Sequence, residues 1–155
     1  MDTRDLAHDL RLVFGALGRS VNEDNALPPI RSVVLGTLDR EGAMTSSDLA
    51  ARRRVRPQTM AVTVKELVGL GWLTTTPHPA DGRKVLLDLS DEGRAVLRAD
   101  REGRVRRIAD GLRQHLRPAD LDTLADAVHV LAHLTERLGG SLGEPLLTAS
   151  RPPRG

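Results

Sequence analysis

The sequence predicts a mainly α-helical chain with one small β-hairpin (α+β), and three observations carry that expectation. Apolar residues recur at three-and-four spacing through most of the chain, in stretches opened or closed by proline, glycine and capping residues. One pair of extended runs brackets His78-Pro79-Ala80-Asp81-Gly82-Arg83, residue types that turns favour. At 155 residues and 39% apolar composition, the chain has the size of one domain with a workable core.

Taken in order, Leu6, Leu10, Val13, Phe14 and Leu17 make an apolar stripe on a first helix. Pro28-Pro29 then breaks the chain ahead of a second helix carrying Val33, Val34 and Leu38, which Gly42 ends. In Thr45-Ser46-Ser47-Asp48 a hydroxyl stands three residues ahead of a carboxylate, and the two can exchange hydrogen bonds with the unpaired amides that open a helix. That third helix carries Leu49 and Ala50 inward and is spent by Arg53-Arg54-Val55, too short to stand without a packed neighbour. A fourth begins at Pro57, whose preset φ suits a first turn and whose missing amide hydrogen costs nothing there. Met60, Val64, Leu67 and Val68 form its inward stripe, which leaves Gln58, Thr59, Ala61, Val62, Lys65 and Glu66 on or near the other side, and Gly69 and Gly71 end it. Trp72-Leu73-Thr74-Thr75-Thr76 and Lys84-Val85-Leu86-Leu87-Asp88-Leu89 are the two extended runs. A long polar helix follows over residues 91–115 with Val96, Ala99, Ile108 and Leu112 along it. Pro118 opens a last one on which Leu121, Leu124, Val128, Leu131 and Leu138 keep a near-heptad rhythm, widened by Ala127 and Leu134.

Short helix, tight turn, second helix and hairpin, in that order, are the parts of a winged helix-turn-helix over about residues 31–90, flanked by helices over about 4–24 and 91–138 whose apolar stripes want a partner. The expected organisation is one domain over residues 1–138 and a loose tail over 139–155, where three prolines and four glycines leave little periodicity. A module of this shape is expected to lay its second helix in the major groove of double-stranded DNA. Gln58 and Thr59 would then address base edges, Ala61 and Val62 thymine methyls, and Lys65 a phosphate. Arg53, Arg54 and Arg56 flank that helix, Arg56 at the start where amides and dipole favour an anion. At the hairpin tip Arg83 and Lys84 are placed for a phosphate or a minor groove, with Asp81 restraining Arg83. The bland alternatives are a solvated turn for the arginines and a local ion pair for Arg83 with Asp81.

Three stretches resemble the MarR-type (multiple antibiotic resistance regulator) transcription factors: Leu49-Ala50 through Val55-Arg56-Pro57-Gln58-Thr59-Met60; Leu67-Val68-Gly69-Leu70-Gly71-Trp72-Leu73; and Asp81-Gly82-Arg83-Lys84-Val85-Leu86-Leu87-Asp88-Leu89-Ser90-Asp91-Glu92-Gly93. The last is the most specific, an Asp-x-Arg wing followed by an apolar strand and a Ser/Thr-x-x-Gly helix start. The looser similarity in length and helix order covers about residues 5–138. The resemblance implies a homodimer on a palindromic operator, acting as a repressor that a small ligand releases. It also implies an effector crevice between dimer helices and reading unit, for which Phe14, Leu17, Val34 and Leu38 are candidates, with Val21 and Ile30 beside them and His8 or Arg11 nearby; plain core is the competing reading. The sequence departs from the commonest family pattern at Val62, where a polar or basic residue is usual, and at Arg53-Arg54, where Leu-Gly is common.

Dimerisation is expected through Leu6, Leu10 and Val13 at one end and Leu121, Leu124, Val128 and Leu131 at the other, since cyclic pairs dominate soluble oligomers and match operator symmetry; the bland alternative is that the last helix folds back on the first helix of its own chain. The formal charge of +2 is uneven: residues 1–30 carry −2, residues 31–84 carry +4 and residues 85–155 are neutral, so the surplus falls on the proposed reading unit. With no cysteine, a disulfide framework, a thiolate metal site and a cysteine-based peroxide sensor are excluded. The start lacks an apolar signal core and no apolar run nears the roughly 20 residues of a membrane span, so no membrane partner and a cytoplasmic location are expected.

Gly139-Gly140-Ser141-Leu142-Gly143 spells a nucleophile elbow, but no strand precedes it and no histidine follows His133, and paired carboxylates such as Asp91-Glu92 are better read as helix-start charges. Neither catalysis nor a cofactor is expected. His129 and His133 stand one turn apart on the last helix without a third ligand type nearby, so no metal site is expected either. The competing functions are a winged helix that binds protein, which would not need arginines on both turn and wing, and a nonspecific architectural DNA-binding protein.

Overall fold

The computed structural model describes residues 2–22, 27–143 and 145–150. Its elements are helices α1 (Thr3–Asn22), α2 (Pro29–Glu41), α3 (Ser46–Arg53) and α4 (Pro57–Gly69), strands β1 (Leu73–His78) and β2 (Asp81–Leu89), helices α5 (Asp91–His115) and α6 (Pro118–Arg137), and a short 3-10 turn at Leu147–Ser150. The result is a mainly α winged helix-turn-helix with flanking helices. The chain divides into two compact units, residues 1–107 and 108–155.

In the first unit the core is built around α2, whose middle residues Val34 to Leu38 are all buried. Leu49 and Ala50 of α3, Met60 and Leu67 of α4, Leu73, Leu87 and Leu89 of the hairpin and Leu97 of α5 join them. A helix buried on more than one side is the hub of its unit. Burial of these aliphatic side chains, worth about 1.5–3 kcal/mol each, is what holds so short a helix as α3 in place. Two inward assignments change. Leu35 is fully buried while Val33 stays 38% exposed, and on α4 Thr63 is buried while Val68 is 37% exposed. Thr63 tolerates the core because its hydroxyl donates to the Thr59 carbonyl at 3.1 Å. On α5 the buried positions are Gly93, Leu97 and Asp100, with Ala99 exposed.

The Thr45–Asp48 exchange forms as expected at the start of α3. The Asp48 amide donates to Thr45 Oγ1 at 3.2 Å, and the Thr45 amide and hydroxyl donate to Asp48 Oδ2 at 3.1 and 2.7 Å. The hydroxyl and then the amide of Thr45 hold the Asp48 carboxyl below the ordinary carboxylate range. A carboxylate whose folded pKa is lowered stabilises the fold fully above its unfolded pKa, and that contribution is lost as pH falls through the folded value. Melting midpoints of the protein and of Asp48→Ala are therefore expected to differ at neutral pH and to converge in acid; a constant gap down to pH 2 would contradict this role.

The strands pair antiparallel from Leu73 opposite Leu89 to Pro77 opposite Val85. They run further toward the tip than the composition predicts. His78 pairs with Asp81, so the turn proper is Pro79-Ala80, and the register slips between Pro77 and His78. Gly82, Arg83 and Lys84 are consequently left without partners on β1, a swelling on one strand only. Pro77 is tolerated because β1 is an edge strand. Met44 adds a one-residue bridge to the other side of β2, its amide and carbonyl both bonded to Leu87 at 3.2 and 2.9 Å.

The join of hairpin to α5 explains the Ser-x-x-Gly spacing. Ser90 donates its hydroxyl to the Gly71 carbonyl at 2.6 Å and accepts the Gly93 amide at 2.9 Å, while its own amide donates to the Trp72 carbonyl at 3.1 Å. A Cβ on Gly93 would lie 2.1 Å from the Trp72 oxygen. The start of α5 is thus pressed directly on the backbone where β1 begins. Further along, Asp39 of α2 meets Arg101 at 2.8 Å and Arg94 at 3.9 Å, and the buried Asp100 carboxylate accepts from Ser32 Oγ at 3.0 Å and pairs with Arg104.

In the second unit α6 begins at Pro118, as its sequence implies. Arg117 donates to Asp120 through Nε and Nη2 at 2.8 and 3.0 Å, and this holds the Asp120 carboxyl low. Of the segment 139–155, Glu144 and residues 151–155 lie outside the described residues.

Candidate nucleic-acid interface

α3 ends in the arrangement that turns a helix-turn-helix. The Val55 amide bonds back to the Ala50 carbonyl at 3.0 Å and the Arg54 amide to Ala51 at 3.2 Å, with Arg54 left-handed at φ 51° and ψ 38°. This is the double closure that glycine most often supplies, because a Cβ disfavours that conformation. The Leu-Gly common in the resembling family fits it, and this chain puts an arginine there instead. Arg54→Gly is expected to raise stability by about 0.5–1 kcal/mol while weakening binding to duplex DNA. Melting and titration of the same variant check the two signs, and a loss of stability or unchanged binding would break the pairing.

After this turn Arg56 precedes α4 in an extended conformation and makes no side-chain cap, leaving the first-turn amides of α4 open. Gln58, Thr59, Ala61, Val62 and Lys65 are all exposed on α4, with Met60, Thr63 and Leu67 on its buried side. Val62 is 60% exposed. The accessible strip is therefore small, neutral and partly apolar at its centre, with cations at its margins. Glu66 is occupied by Arg31 of α2 at 3.1 Å.

Arg53 is placed differently from Arg54 and Arg56. It is half-buried, and its Nε donates to Thr37 Oγ1 at 2.7 Å. At the wing Thr74 to Pro77 and Gly82 to Val85 are exposed on both faces, with His78 and Asp81 half-buried at the last rung, so the outer hairpin stands clear of the core. Asp81 does not pair with the Arg83 guanidinium: its Oδ1 accepts the Arg83 backbone amide at 3.1 Å, and its Oδ2 lies 4.0 Å from Lys84 Nζ. The restraint on Arg83 thus acts through the backbone, and among the described residues its side chain has no carboxylate partner.

Of the candidate effector residues, Val34 and Leu38 belong to the buried core, whereas Phe14 and Leu17 on α1 are 50% and 53% exposed. On the same helix Leu6 and Val13 are exposed and Leu10 half-buried, and α1 has no buried residue. In the second unit Leu121, Val128 and Leu131 of α6 are half-buried and Leu124 exposed, again with none buried. His129 Nε2 lies 3.4 Å from Thr148 Oγ1, and no group of three metal-ligating side chains occurs among the described residues. No helix among them is long and apolar enough to cross a membrane. What the sequence did not reveal is Thr37, whose only signal is a hydroxyl inside the apolar run of α2.

The MarR family model matches residues 27–84, from the end of the α1–α2 connection to the wing. An HTH-type transcriptional regulator of Mycobacterium tuberculosis is 35% identical over 134 residues, which cover 84% of this chain and 93% of that protein. Among solved structures, a transcriptional regulator of Thermotoga maritima superposes with a TM-score of 0.70 at 26% identity, over 87% of this chain and 96% of that one. A protein of Pseudomonas aeruginosa does so at 0.74 and 29%, over 87% and 98%. With the helix-turn-helix, the wing and the Ser90–Gly93 helix start in place, the chain belongs to the MarR family of HTH-type, DNA-binding transcriptional regulators.

Proposed function

We propose that this regulator acts as a homodimer on a two-fold symmetric operator, reading each half-site with α4 and clamping it with the wing. The observation that carries the reading is the division of α4: one side is locked in the core, and the other offers Gln58, Thr59, Ala61 and Val62, with Arg54 and Arg56 ahead of them and Lys65 after them. A neutral strip bounded by cations suits a groove floor between two phosphate backbones. Arg83 and Lys84 on the unpaired swelling of β2 add the wing contact. The exposed apolar stripes of α1 and α6 supply the surface for a second copy, since such stripes left to water are unfavourable. Repression by occupying the operator, released by a small ligand, is the mode of control that the family resemblance implies for it.

Selection of bound sequences from random duplexes tests the proposal. The expected product is a palindrome with half-sites about one helical turn, roughly 10 base pairs, apart, preferred over bulk DNA by about a thousandfold or more. Recovery of an asymmetric single site, or of no preferred sequence, would refute it. The latter result would favour an architectural role.

A further inference from the structure

Thr37 lies in the middle of α2 and is fully buried, yet it carries a hydroxyl. That hydroxyl donates its proton to the Val33 carbonyl at 2.7 Å. With the proton committed, the oxygen faces α3 as an acceptor, and Arg53 Nε donates to it at 2.7 Å. The direction of every bond in this chain is therefore fixed: Arg53 to Thr37, Thr37 to the α2 backbone.

A guanidinium is planar and carries five N–H donors, one on Nε and four on the two terminal nitrogens. Tethering Nε fixes the plane and leaves the terminal fork, the edge that grips a phosphate with two parallel bonds. No carboxylate among the described residues pairs with that fork. Arg53 is also the last residue of α3, immediately ahead of the left-handed Arg54 that turns the chain into α4. A fork held at this corner has little side-chain freedom left to lose on meeting a phosphate, which favours binding.

We infer that Thr37 is a positioning residue for DNA: it acts through Arg53, holding that guanidinium as a preset phosphate clamp at the α3–α4 corner. The inference rests on the DNA-reading function proposed above and assigns Arg53 a fixed phosphate contact rather than a solvated or purely structural role.

Phosphate contacts do not depend on sequence, so the test uses a mixed-sequence duplex three helical turns long, the full-length chain, and titrations over a salt series. Thr37→Val keeps the shape and removes the acceptor. It is expected to weaken binding by several-fold to about tenfold with little change in melting, and Thr37→Ser is expected to restore it. Arg53→Ala is expected to weaken binding and to lower the salt slope by about 0.9 for each subunit in contact. Adding Thr37→Val to Arg53→Ala should then change nothing more, because the threonine acts only through the arginine. Should Thr37→Val fail to fold, Arg53→Lys serves in its place: it keeps the charge, loses the tether and is expected to bind as weakly as Thr37→Val. Wild-type affinity in Thr37→Val or in Arg53→Lys, or an undiminished threonine effect in the Arg53→Ala background, would overturn the inference while leaving the DNA reading intact. A wild-type chain without affinity for any duplex at low salt would instead sink the DNA reading itself.

Discussion

Gly93→Ala is expected to destabilise the protein by about 3 kcal/mol, the upper part of the range for forcing atoms into a closed packing. In an ordinary helix the same change would be favourable by about 0.5–1 kcal/mol, since alanine restricts the unfolded chain and suits the helix. Here the new Cβ would lie 2.1 Å from the Trp72 carbonyl oxygen, with the carbonyl carbon and Cα at 2.9 and 3.2 Å. All three are backbone atoms, so no side chain can swing aside. Relief requires α5 to lift from β1, which pulls apart the bonds from Ser90 to Trp72 and from Ser90 to Gly71. For a chain of this size the loss corresponds to a fall of roughly 10 °C in melting temperature. Gly103, on the same helix, has nothing within 4 Å of its added Cβ. Gly103→Ala is therefore expected to hold or raise the midpoint, and a scan of both variants decides: equal midpoints would show that the contact at Trp72 does not govern the join.

Arg83→Ala is expected to produce the largest change in salt dependence of any single wing substitution. Each phosphate a cation neutralises contributes about 0.9 to the slope of log affinity against log salt, so a two-fold dimer losing one contact per wing should lose about 1.8. Arg83 is chosen over Lys84 because the ammonium already lies near Asp81, at 4.0 Å, whereas the guanidinium has no carboxylate neighbour among the described residues. Asp81→Ala should weaken binding more mildly, by releasing the Arg83 amide that the carboxylate holds at 3.1 Å. A titration series at several salt concentrations reads both, and an unchanged slope for Arg83→Ala would remove the wing arginine from the contact set.

Much of this architecture was legible because its boundaries are set by local chemistry. Thr45 with Asp48, Pro57 and Pro118 each mark a helix start through groups within a few residues of one another, and all three helices begin where those groups place them. What was hidden depends on partners distant in the chain. Ile30 to Leu38 is so rich in aliphatic residues that periodicity cannot say which one faces out, and the choice of Leu35 over Val33 is made by the packing around α2. Asp100 is buried because Ser32, 68 residues earlier, and Arg104 receive it. On α4, burying Thr63 in preference to Val68 depends on a hydroxyl that finds a carbonyl in its own helix. In the candidate interface, residue types alone marked the cations of the corner and wing. They could not reveal that Arg53 is tethered, that Arg54 is left-handed or that Asp81 grips a backbone amide rather than a guanidinium, since each is a matter of three-dimensional placement.

The outer end of the hairpin also suits instrumentation. Pro79 and Ala80 are exposed and lie beyond the last paired rung, His78 opposite Asp81, while the rungs from Leu73 to Pro77 keep their register independently of what the loop carries. The sequence contains no cysteine, so a thiol introduced as Ala80→Cys would be unique in the chain and would take a single dye without background labelling. Chain length added between these two residues would lengthen the arm rather than shear the ladder, making this loop the natural port for a reporter or a grafted peptide.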